Sequence, residues 1–311
     1  MIGLRLIVPA HLVASVLALL ERSAGVAHVV HLAGAARSPK GDLVLCDVVR
    51  ESANALIEGL QDLGLHHDGA ITAEALEVVI SDAAARAELD APGFGEDALV
   101  WEEVEAQART GARLTVSYLA FMAVAACIAS VGILLDSPIL IVGAMVVGPE
   151  YGPLAAGCVG AARGRFRPAG RAMGTLVIGL ATGAVAALIA ILLFRATGLA
   201  EGGYDLSDRQ LTAFISRPDG LAAVVAVLAG IAGMLSLTEG RAGALVGVLV
   251  SVTTIPAVAN IGVATAYGEW RELQGAALQL LVNLVGLTLA GVLTLRFQAR
   301  LTARRPGRPP D

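Results

Sequence analysis

From residue 114 onward, apolar positions form six long stretches in which charged side chains are absent or nearly so. Each stretch reaches or exceeds the roughly 17 to 25 residues that a helix needs to span a bilayer. The pattern predicts a membrane α-helical bundle of six spans. The six stretches are residues 114–135, 137–162, 172–194, 221–238, 242–268 and 273–295.

Before residue 91 the apolar runs are shorter and their period changes. Four apolar or β-branched runs bounded by turn residues predict strands, and two segments with leucine and alanine at helical spacing predict helices. The strands are residues 3–8, 26–32, 42–49 and 69–80; the helices are residues 11–22 and 52–63; a hairpin turn is expected at 34–41. The order βαββαβ is typical of a soluble α+β domain of the ferredoxin-like or ACT-like kind.

Charge divides the chain in the same way. Residues 1–108 hold 17 acidic and 6 basic side chains, whereas residues 109–311 hold 10 acidic and 16 basic ones. An acidic soluble domain therefore precedes a basic membrane domain. We predict a ferredoxin-like domain at 1–90, a linker and juxtamembrane helix at 91–113, the six-span domain at 114–297 and a basic disordered tail at 298–311.

Composition excludes a soluble globule of ordinary make-up. Hydrophobic residues form 56% of the chain and the mean hydropathy is +0.73, values that indicate a membrane protein. No basic patch for nucleic acid is visible, and the N-terminus lacks the features of a secretory signal. The cysteines are far apart in sequence, so we interpret Cys46, Cys127 and Cys158 as small apolar fillers.

Arginine positions predict the orientation of the spans. With the N-terminus in the cytoplasm, twelve arginines of the membrane half fall on the cytoplasmic side and four on the outer side. This asymmetry fits the excess of positive charge in the cytoplasmic loops of membrane proteins. We therefore expect both termini in the cytoplasm.

The second span contains a break, because its centre reads Gly148-Pro149-Glu150-Tyr151-Gly152-Pro153. Proline lacks the N–H that a helix needs, so the segment predicts two half-helices with freed backbone groups at membrane depth. The fifth span is similar, since a Gly-rich apolar run leads there to Pro256. Spans one to three and four to six would then form an inverted 3+3 repeat with broken second and fifth helices, as in many secondary transporters.

Glu150 is the ionisable residue of the first break, and it lies roughly 18 Å deep if each residue adds about 1.5 Å. An unpaired charge there costs at least ~3 kcal/mol, a cost that a bound ion or proton would relieve. The alternative is that Glu150 only caps the second half-helix, whose positive end favours a carboxylate. The candidate transport or pore residues are Pro149, Glu150, Tyr151, Gly152, Pro153, Thr253, Thr254, Pro256 and Asn260.

Two further polar groups have simpler interpretations. Asn283, in the last span, is expected to form a hydrogen bond between helices. Glu239 and Arg241 flank the short turn between the fourth and fifth spans, where a solvated pair at a helix end is expected.

The histidines do not predict a metal site. His66, His67 and Asp68 share a loop but lack a third well-placed ligand. His28 and His31 stand three apart in a predicted strand, so their side chains point to opposite faces. No span carries a nucleophile with its base or a metal motif. We expect no metal, no cofactor and no enzymatic activity.

Residues 140–149 read Leu-Ile-Val-Gly-Ala-Met-Val-Val-Gly-Pro and are followed by Gly152-Pro153, a pattern that resembles the signature of a bacterial family catalogued as domain of unknown function 389. The opening run at 4–9 and the run at 255–259 resemble the same family. The resemblance implies an uncharacterised multi-pass protein of the bacterial inner (plasma) membrane, without a settled activity to carry over. Many members hold an apolar residue where Glu150 stands, which places this carboxylate in a subgroup.

Three classes of function remain. A transporter or channel for an ion or small polar solute, with a cytoplasmic regulatory or assembly domain, fits two broken spans and a buried carboxylate. A membrane-anchored ligand sensor or scaffold whose membrane part only oligomerises is the alternative, although anchoring requires a single span. A membrane enzyme is supported least. The expected partners are the lipid bilayer, further copies of the chain in a homo-oligomer and an unknown ion or small solute, without nucleic acid.

Overall fold

The computed structural model describes residues 1–76, 78–90, 101–200, 211–212, 215–216, 219–239 and 254–303, apart from the side chains of residues 90, 102, 103, 302 and 303. The chain divides into two compact units: one contains Met1–Val104 and the residues from Phe297 onward, and the other contains Glu105–Arg296. The predicted linker at 91–95 and most of the predicted basic tail lie outside the described residues.

The N-terminal unit contains a four-stranded antiparallel sheet. Its strands are β1 (Ile2–Val8), β2 (Val26–Arg37), β3 (Lys40–Val48) and β4 (Ala70–Ala75), and its helices are α1 (Val13–Arg22), α2 (Arg50–Asp62) and the short α3 (Leu65–Asp68). The sheet order is β2-β3-β1-β4, with Leu4 of β1 opposite Cys46 on one side and Ala73 on the other. The predicted succession of four strands and two main helices is therefore observed.

One face of this sheet forms the core. Alternate residues of β1 from Ile2 to Val8 are buried together with Val44 and Cys46 of β3, and they pack against apolar residues of α1 and α2. Burial raises the pKa of the Cys46 thiol to about 12 because a thiolate would lose its hydration there. Cys46 is thus a core residue, in agreement with its interpretation as an apolar filler.

The hairpin between β2 and β3 differs from the prediction. Strand β2 continues to Arg37, so the turn consists of Ser38 and Pro39 instead of the whole segment 34–41. Gly34 has a φ of +64° and lies in an irregularity of the register between Leu32 and Ala36. Glycine adopts this left-handed conformation without strain, so it marks a bulge inside the strand here and not the end of the strand.

A further helix, α4 (Asp82–Asp90), follows β4 and is not among the predicted elements. The predicted last strand at 69–80 is shorter in the structure and ends at Ala75. Ser81 begins the helix, because its hydroxyl accepts a hydrogen bond from the amide of Ala83 at 3.1 Å. The alanine-rich sequence that follows favours a helix.

The second unit is helical and includes most of α5 and most of α12, each of which crosses a unit boundary. Its helices are α5 (Trp101–Gly111), α6 (Val116–Leu134), α7 (Pro138–Val147), α8 (Tyr151–Ala162), α9 (Phe166–Ala196), α10 (Gly220–Thr238), α11 (Thr254–Tyr267) and α12 (Trp270–Ala303). Among the described residues, α6, α9, α10 and α12 are long and apolar enough to cross a membrane, and the bent pair of α7 and α8 can supply a fifth span. Residues 240–253, the first half of the predicted fifth span, lie outside the description, so the count of six stays a prediction.

Most of these helices present apolar side chains outward, as lipid-facing helices do. Phe121 of α6 and Ile189 of α9 are more than half exposed. By contrast, α11 is buried along most of its length and packs against α6, α7 and α9. Glycines permit the close approach, since a Cβ on Gly183 would lie 3.1 Å from Val258 and one on Gly262 would lie 2.6 Å from Ala187. Helix α11 is thus enclosed by other helices of the same chain.

Two sets of connecting residues meet at separate places in this unit. Asp136, in the turn between α6 and α7, accepts hydrogen bonds from the amides of Leu211 and Thr212 at 3.2 and 2.9 Å and from the Thr212 hydroxyl at 2.8 Å. Arg163 and Arg165, between α8 and α9, bind Glu105 of α5. Residues predicted to lie on the same side of the membrane therefore contact one another.

Candidate functional site at the helix break

The predicted break in the second span is confirmed. Helix α7 ends at Val147, α8 begins at Tyr151, and the two helices are bent by 56° at the break. The cause is local, because a residue that precedes proline avoids the helical conformation. Gly148 accordingly has an extended ψ of 127°, and Pro149 has no N–H to continue the ladder of α7.

Glu150 is buried at this break, with 5% of its surface exposed. It occupies the position immediately before α8, yet its side chain makes no capping hydrogen bond. Its Oε2 atom has no hydrogen-bond partner among the described residues. The capping alternative therefore lacks its hydrogen bond, and only the favourable potential at the start of α8 supports it. A buried carboxylate oxygen without a partner is costly, so Glu150 stays a candidate for binding an ion or proton.

The break lies beside the first turn of α11. A Cβ built on Gly148 would lie 2.7 Å from Cγ1 of Ile255 and would also overlap Oε2 of Glu150. The Glu150 carboxyl and the start of α11 thus share one small region.

The remaining candidates from the predicted second break are buried in α11. Thr254 and Asn260 are each 2% exposed, and Pro256 is also buried. Thr254 adjoins Ile255 and so lies near the first break, whereas Asn260 follows Thr254 by about 9 Å along the helix at ~1.5 Å per residue. Thr253 lies outside the described residues.

Tyr151, Gly152 and Pro153 fix the first turn of α8. The Tyr151 hydroxyl donates a hydrogen bond to the carbonyl of Gly233 in α10 at 2.5 Å. Gly152 contacts the backbone of Gly111 in α5 so closely that a Cβ would overlap the Gly111 carbonyl. Pro153 is buried. These three candidates hold the break in place.

Two polar residues that the sequence did not single out lie near this region. The Tyr118 hydroxyl of α6 donates a hydrogen bond to the Thr175 carbonyl of α9 at 3.4 Å, and the Glu150 carboxyl is within electrostatic range of that hydroxyl. Thr175 in turn donates its hydroxyl to the Arg171 carbonyl at 3.2 Å. The available signal was that Tyr118 and Thr175 are polar side chains within otherwise apolar spans.

A cavity of about 340 Å³ opens between α5, α8 and α9. Its lining includes Thr175 and Ala156, and Ala156 lies one helical turn after Gly152. Glu150 and Asn260 do not line it. The lining residues are Glu105, Ala108, Arg109, Ala112, Ala156, Val159, Gly160, Arg165, Pro168, Arg171, Ala172 and Thr175.

Glu105 organises the charges at the mouth of this cavity. Its Oε1 accepts hydrogen bonds from Arg163 at 2.8 Å and Arg165 at 3.0 Å, and its Oε2 accepts from Arg109 at 2.7 Å and Arg165 at 2.9 Å. The Glu105 side chain is 12% exposed and that of Arg163 18% exposed. One carboxylate thus holds three guanidinium groups at the end of the apolar helices.

Asn283 makes a polar contact within its own helix. It accepts a hydrogen bond from the Gln279 side chain at 3.3 Å, and both residues are buried in α12. This bond is intrahelical, and the interhelical bond of Asn283 stays a prediction. The pair of Glu239 and Arg241 is not tested, because Arg241 lies outside the described residues.

The histidines of the sheet have separate carboxylate partners. His28 Nδ1 lies 2.6 Å from Asp47, and His28 Nε2 lies 2.7 Å from the Ser81 hydroxyl. His31 Nε2 lies 2.6 Å from Asp42. The two histidines therefore do not share a site. Across the described residues, no group of three or more His, Cys, Asp or Glu side chains is placed to hold a metal ion.

An antiparallel sheet domain followed by several bilayer-length apolar helices, one pair of them bent at a Gly-Pro break, has the make-up of a multi-pass membrane protein. Residues 145–289 match the family described as "Domain of unknown function (DUF389)", which supports the resemblance that the sequence pattern indicates. The match includes the break, the region of α11 and most of α12. No curated protein and no solved structure matches the chain.

Proposed function

We propose that this protein is an integral membrane transporter or channel for an ion or small polar solute. The observation that carries the proposal is the environment of Glu150. This carboxylate is buried, and one of its oxygens has no hydrogen-bond partner among the described residues. It lies at a 56° break in a segment of bilayer length. Ionisable residues at membrane depth are rare and mark ion or proton pathways. Broken helices supply backbone groups for such pathways.

The surroundings of the break support a path toward it. The cavity between α5, α8 and α9 reaches Thr175 of α9, and its lining includes Ala156 of α8, the helix that begins directly after Glu150. Pro153 lies in the first turn of α8, and Pro256 lies in the first turn of α11 as far as that helix is described. This correspondence supports the inverted 3+3 repeat of six spans, which remains part of the proposal.

Flux into liposomes tests the proposal. Purified protein is reconstituted with an internal pH-sensitive dye, and gradients of H⁺, Na⁺, K⁺ and Cl⁻ are applied in turn. We expect flux of at least one ion, and we expect Glu150→Gln to abolish it or remove its pH dependence. Glu269→Gln is the matched control, because Glu269 is an exposed carboxylate in the turn between α11 and α12. Full activity of Glu150→Gln with unchanged pH dependence would remove the proposed role of this residue.

We further propose that the N-terminal domain regulates or assembles the protein in a homo-oligomer. Strand β2 lies at the edge of the sheet, and Val29, Val30 and Leu32 are 44%, 43% and 46% exposed. An edge strand with exposed apolar side chains can pair with a second copy. Light scattering of the full chain carrying Val30→Lys tests this, and an unchanged subunit number would argue against assembly through β2.

The proposed setting is the bacterial inner membrane with both termini in the cytoplasm and without enzymatic activity. Support comes from the excess of arginine on the predicted cytoplasmic side. Cysteine labelling tests the orientation. A single cysteine is placed at Gly164 or at Gly268, which lie on opposite predicted sides of the membrane, and intact cells are treated with a membrane-impermeant reagent. Only the cysteine at residue 268 should react.

A further inference from the structure

The cavity between α5, α8 and α9 carries more positive charge than its own carboxylate neutralises. Glu105 is the acidic residue of its lining, and Arg109, Arg165 and Arg171 are the basic ones. Both Glu105 oxygens are already engaged by arginines. The Arg171 guanidinium makes no hydrogen bond or ion pair with any described residue. Each guanidinium has five N–H donors. The arginines of the lining therefore have more N–H donors than the Glu105 carboxylate can accept.

Much of the remaining lining is apolar. Ala108 and Ala112 of α5, Ala156 and Val159 of α8, and Ala172 of α9 form this apolar wall. The charged mouth lies where the apolar run of α9 begins, directly after Arg171. A cavity that combines guanidinium groups at the predicted membrane surface with apolar side chains matches a molecule with an anionic head and a hydrocarbon tail.

We propose that this cavity binds the phosphate group of an anionic phospholipid, with Arg171 and Arg165 as phosphate ligands and the apolar wall against the upper part of an acyl chain. Planar guanidinium groups bind phosphate oxygens in pairs, which makes arginine well suited to this role. The site is separate from Glu150 and does not depend on whether a solute crosses the protein. It would couple the position of α5 to the lipid composition of the membrane.

Binding of defined lipids to the full-length protein in detergent tests the proposal. Phosphatidylglycerol, phosphatidylcholine and inorganic phosphate are each titrated, and complexes are quantified by native mass spectrometry. We expect phosphatidylglycerol to bind in preference to phosphatidylcholine and Arg171→Gln to weaken its binding about fivefold, since one arginine near a lipid headgroup contributes ~1 kcal/mol. Arg167→Gln is the matched control, because Arg167 lies one turn earlier on α9, is exposed and does not line the cavity.

A second variant keeps every charge and fills the apolar wall. Ala156→Leu should weaken phosphatidylglycerol binding and leave any binding of inorganic phosphate unchanged. If Arg167→Gln and Arg171→Gln weaken the binding of phosphatidylglycerol equally, the general surface charge attracts the lipid. That result would overturn the proposed site. Binding of inorganic phosphate as tight as that of phosphatidylglycerol, unaffected by Ala156→Leu, would replace the lipid by a free anion. Unchanged lipid binding in both Arg171→Gln and Ala156→Leu would also contradict the proposal.

Discussion

Two carboxylates of the membrane unit face opposite electrostatic conditions. Glu105 lies at the end of the apolar helices with three arginines on its two oxygens. Glu150 lies at the helix break, is more deeply buried, and has an oxygen without a partner in the described part of the chain. The same functional group is thus paired with cations in one region and, among the described residues, has no cation partner in the other.

This difference separates a structural charge from a candidate functional one. A carboxylate held by several guanidinium groups has little capacity for a further cation, because its lone pairs are occupied. A buried carboxylate without a cation gains most from a proton or an ion that arrives from outside. Glu105 therefore supports the fold around the cavity, whereas Glu150 is the residue to test for function.

The largest effect is expected from crowding the Glu150 region. Gly148→Ala places a Cβ against Glu150 and Ile255, and overpacking of this kind should lower the free energy of unfolding by about 3 kcal/mol. Gly143→Ala is the control, since a Cβ there meets no atom within 4 Å. Thermal unfolding in detergent measures both variants. Equal stability of the two would mean that the break is loosely packed and that Glu150 is open to its surroundings.

Removal of the charge of Glu105 should have the second largest effect. Glu105→Gln removes a carboxylate charge to which the partly buried Arg163 and Arg165 donate, so we expect a loss of about 2 kcal/mol. For a domain of this size that corresponds to a fall in Tm of roughly 4 to 8 °C. Glu269→Gln, at an exposed position, should change the stability by less than ~0.5 kcal/mol. If Glu105→Gln is as stable as Glu269→Gln, the Glu105 charge is not structural. The contrast between Glu105 and Glu150 would then be lost.

The matching substitution at the break should cost little stability. Glu150→Gln preserves the shape of a side chain that has no cation partner among the described residues, so the free energy of unfolding should stay within ~1 kcal/mol of the wild type. Its effect should appear in ion flux. A loss of stability as large as that of Glu105→Gln would show that the Glu150 charge is structural.

Asp42 extends the comparison to a carboxylate in water, with the smallest expected effect. The Gly34 amide and the His31 side chain hold the pKa of Asp42 below its ordinary value. A lowered folded-state pKa contributes stability above the unfolded pKa of about 4, and this stability is lost as the pH falls through the folded value. Asp42→Asn should therefore speed hydrogen exchange in the β2–β3 hairpin at neutral pH, and the difference from wild type should shrink below about pH 4 and vanish once the pH is below the folded-state pKa of Asp42. A difference that persists there would contradict the role of the charge.

Local features of both units could be predicted from the sequence. The β-branched runs give the four strands, and Gly148-Pro149 gives the break, because each depends on the conformational preference of a few neighbouring residues. The same reasoning misplaced the hairpin turn, since Gly34 serves as a bulge within β2.

Contacts between distant residues could not be predicted in this way. Glu105 and Arg163 are 58 positions apart, and Tyr118 and Thr175 are 57 apart. Helical spacing tells which residues share a face of one helix but not which helix lies opposite that face. The cavity and the arginines at its mouth therefore emerge only when α5, α8 and α9 are packed together.

The enclosure of α11 by helices of the same chain has a consequence for stoichiometry. Thr254, Pro256 and Asn260 are buried without a second copy of the protein, so a conduction route along α11 would be complete in every subunit. In mixed assemblies of wild-type and inactive chains, flux should then rise in direct proportion to the wild-type fraction. If the subunits instead shared one central route, a single inactive chain would block flux through the whole assembly.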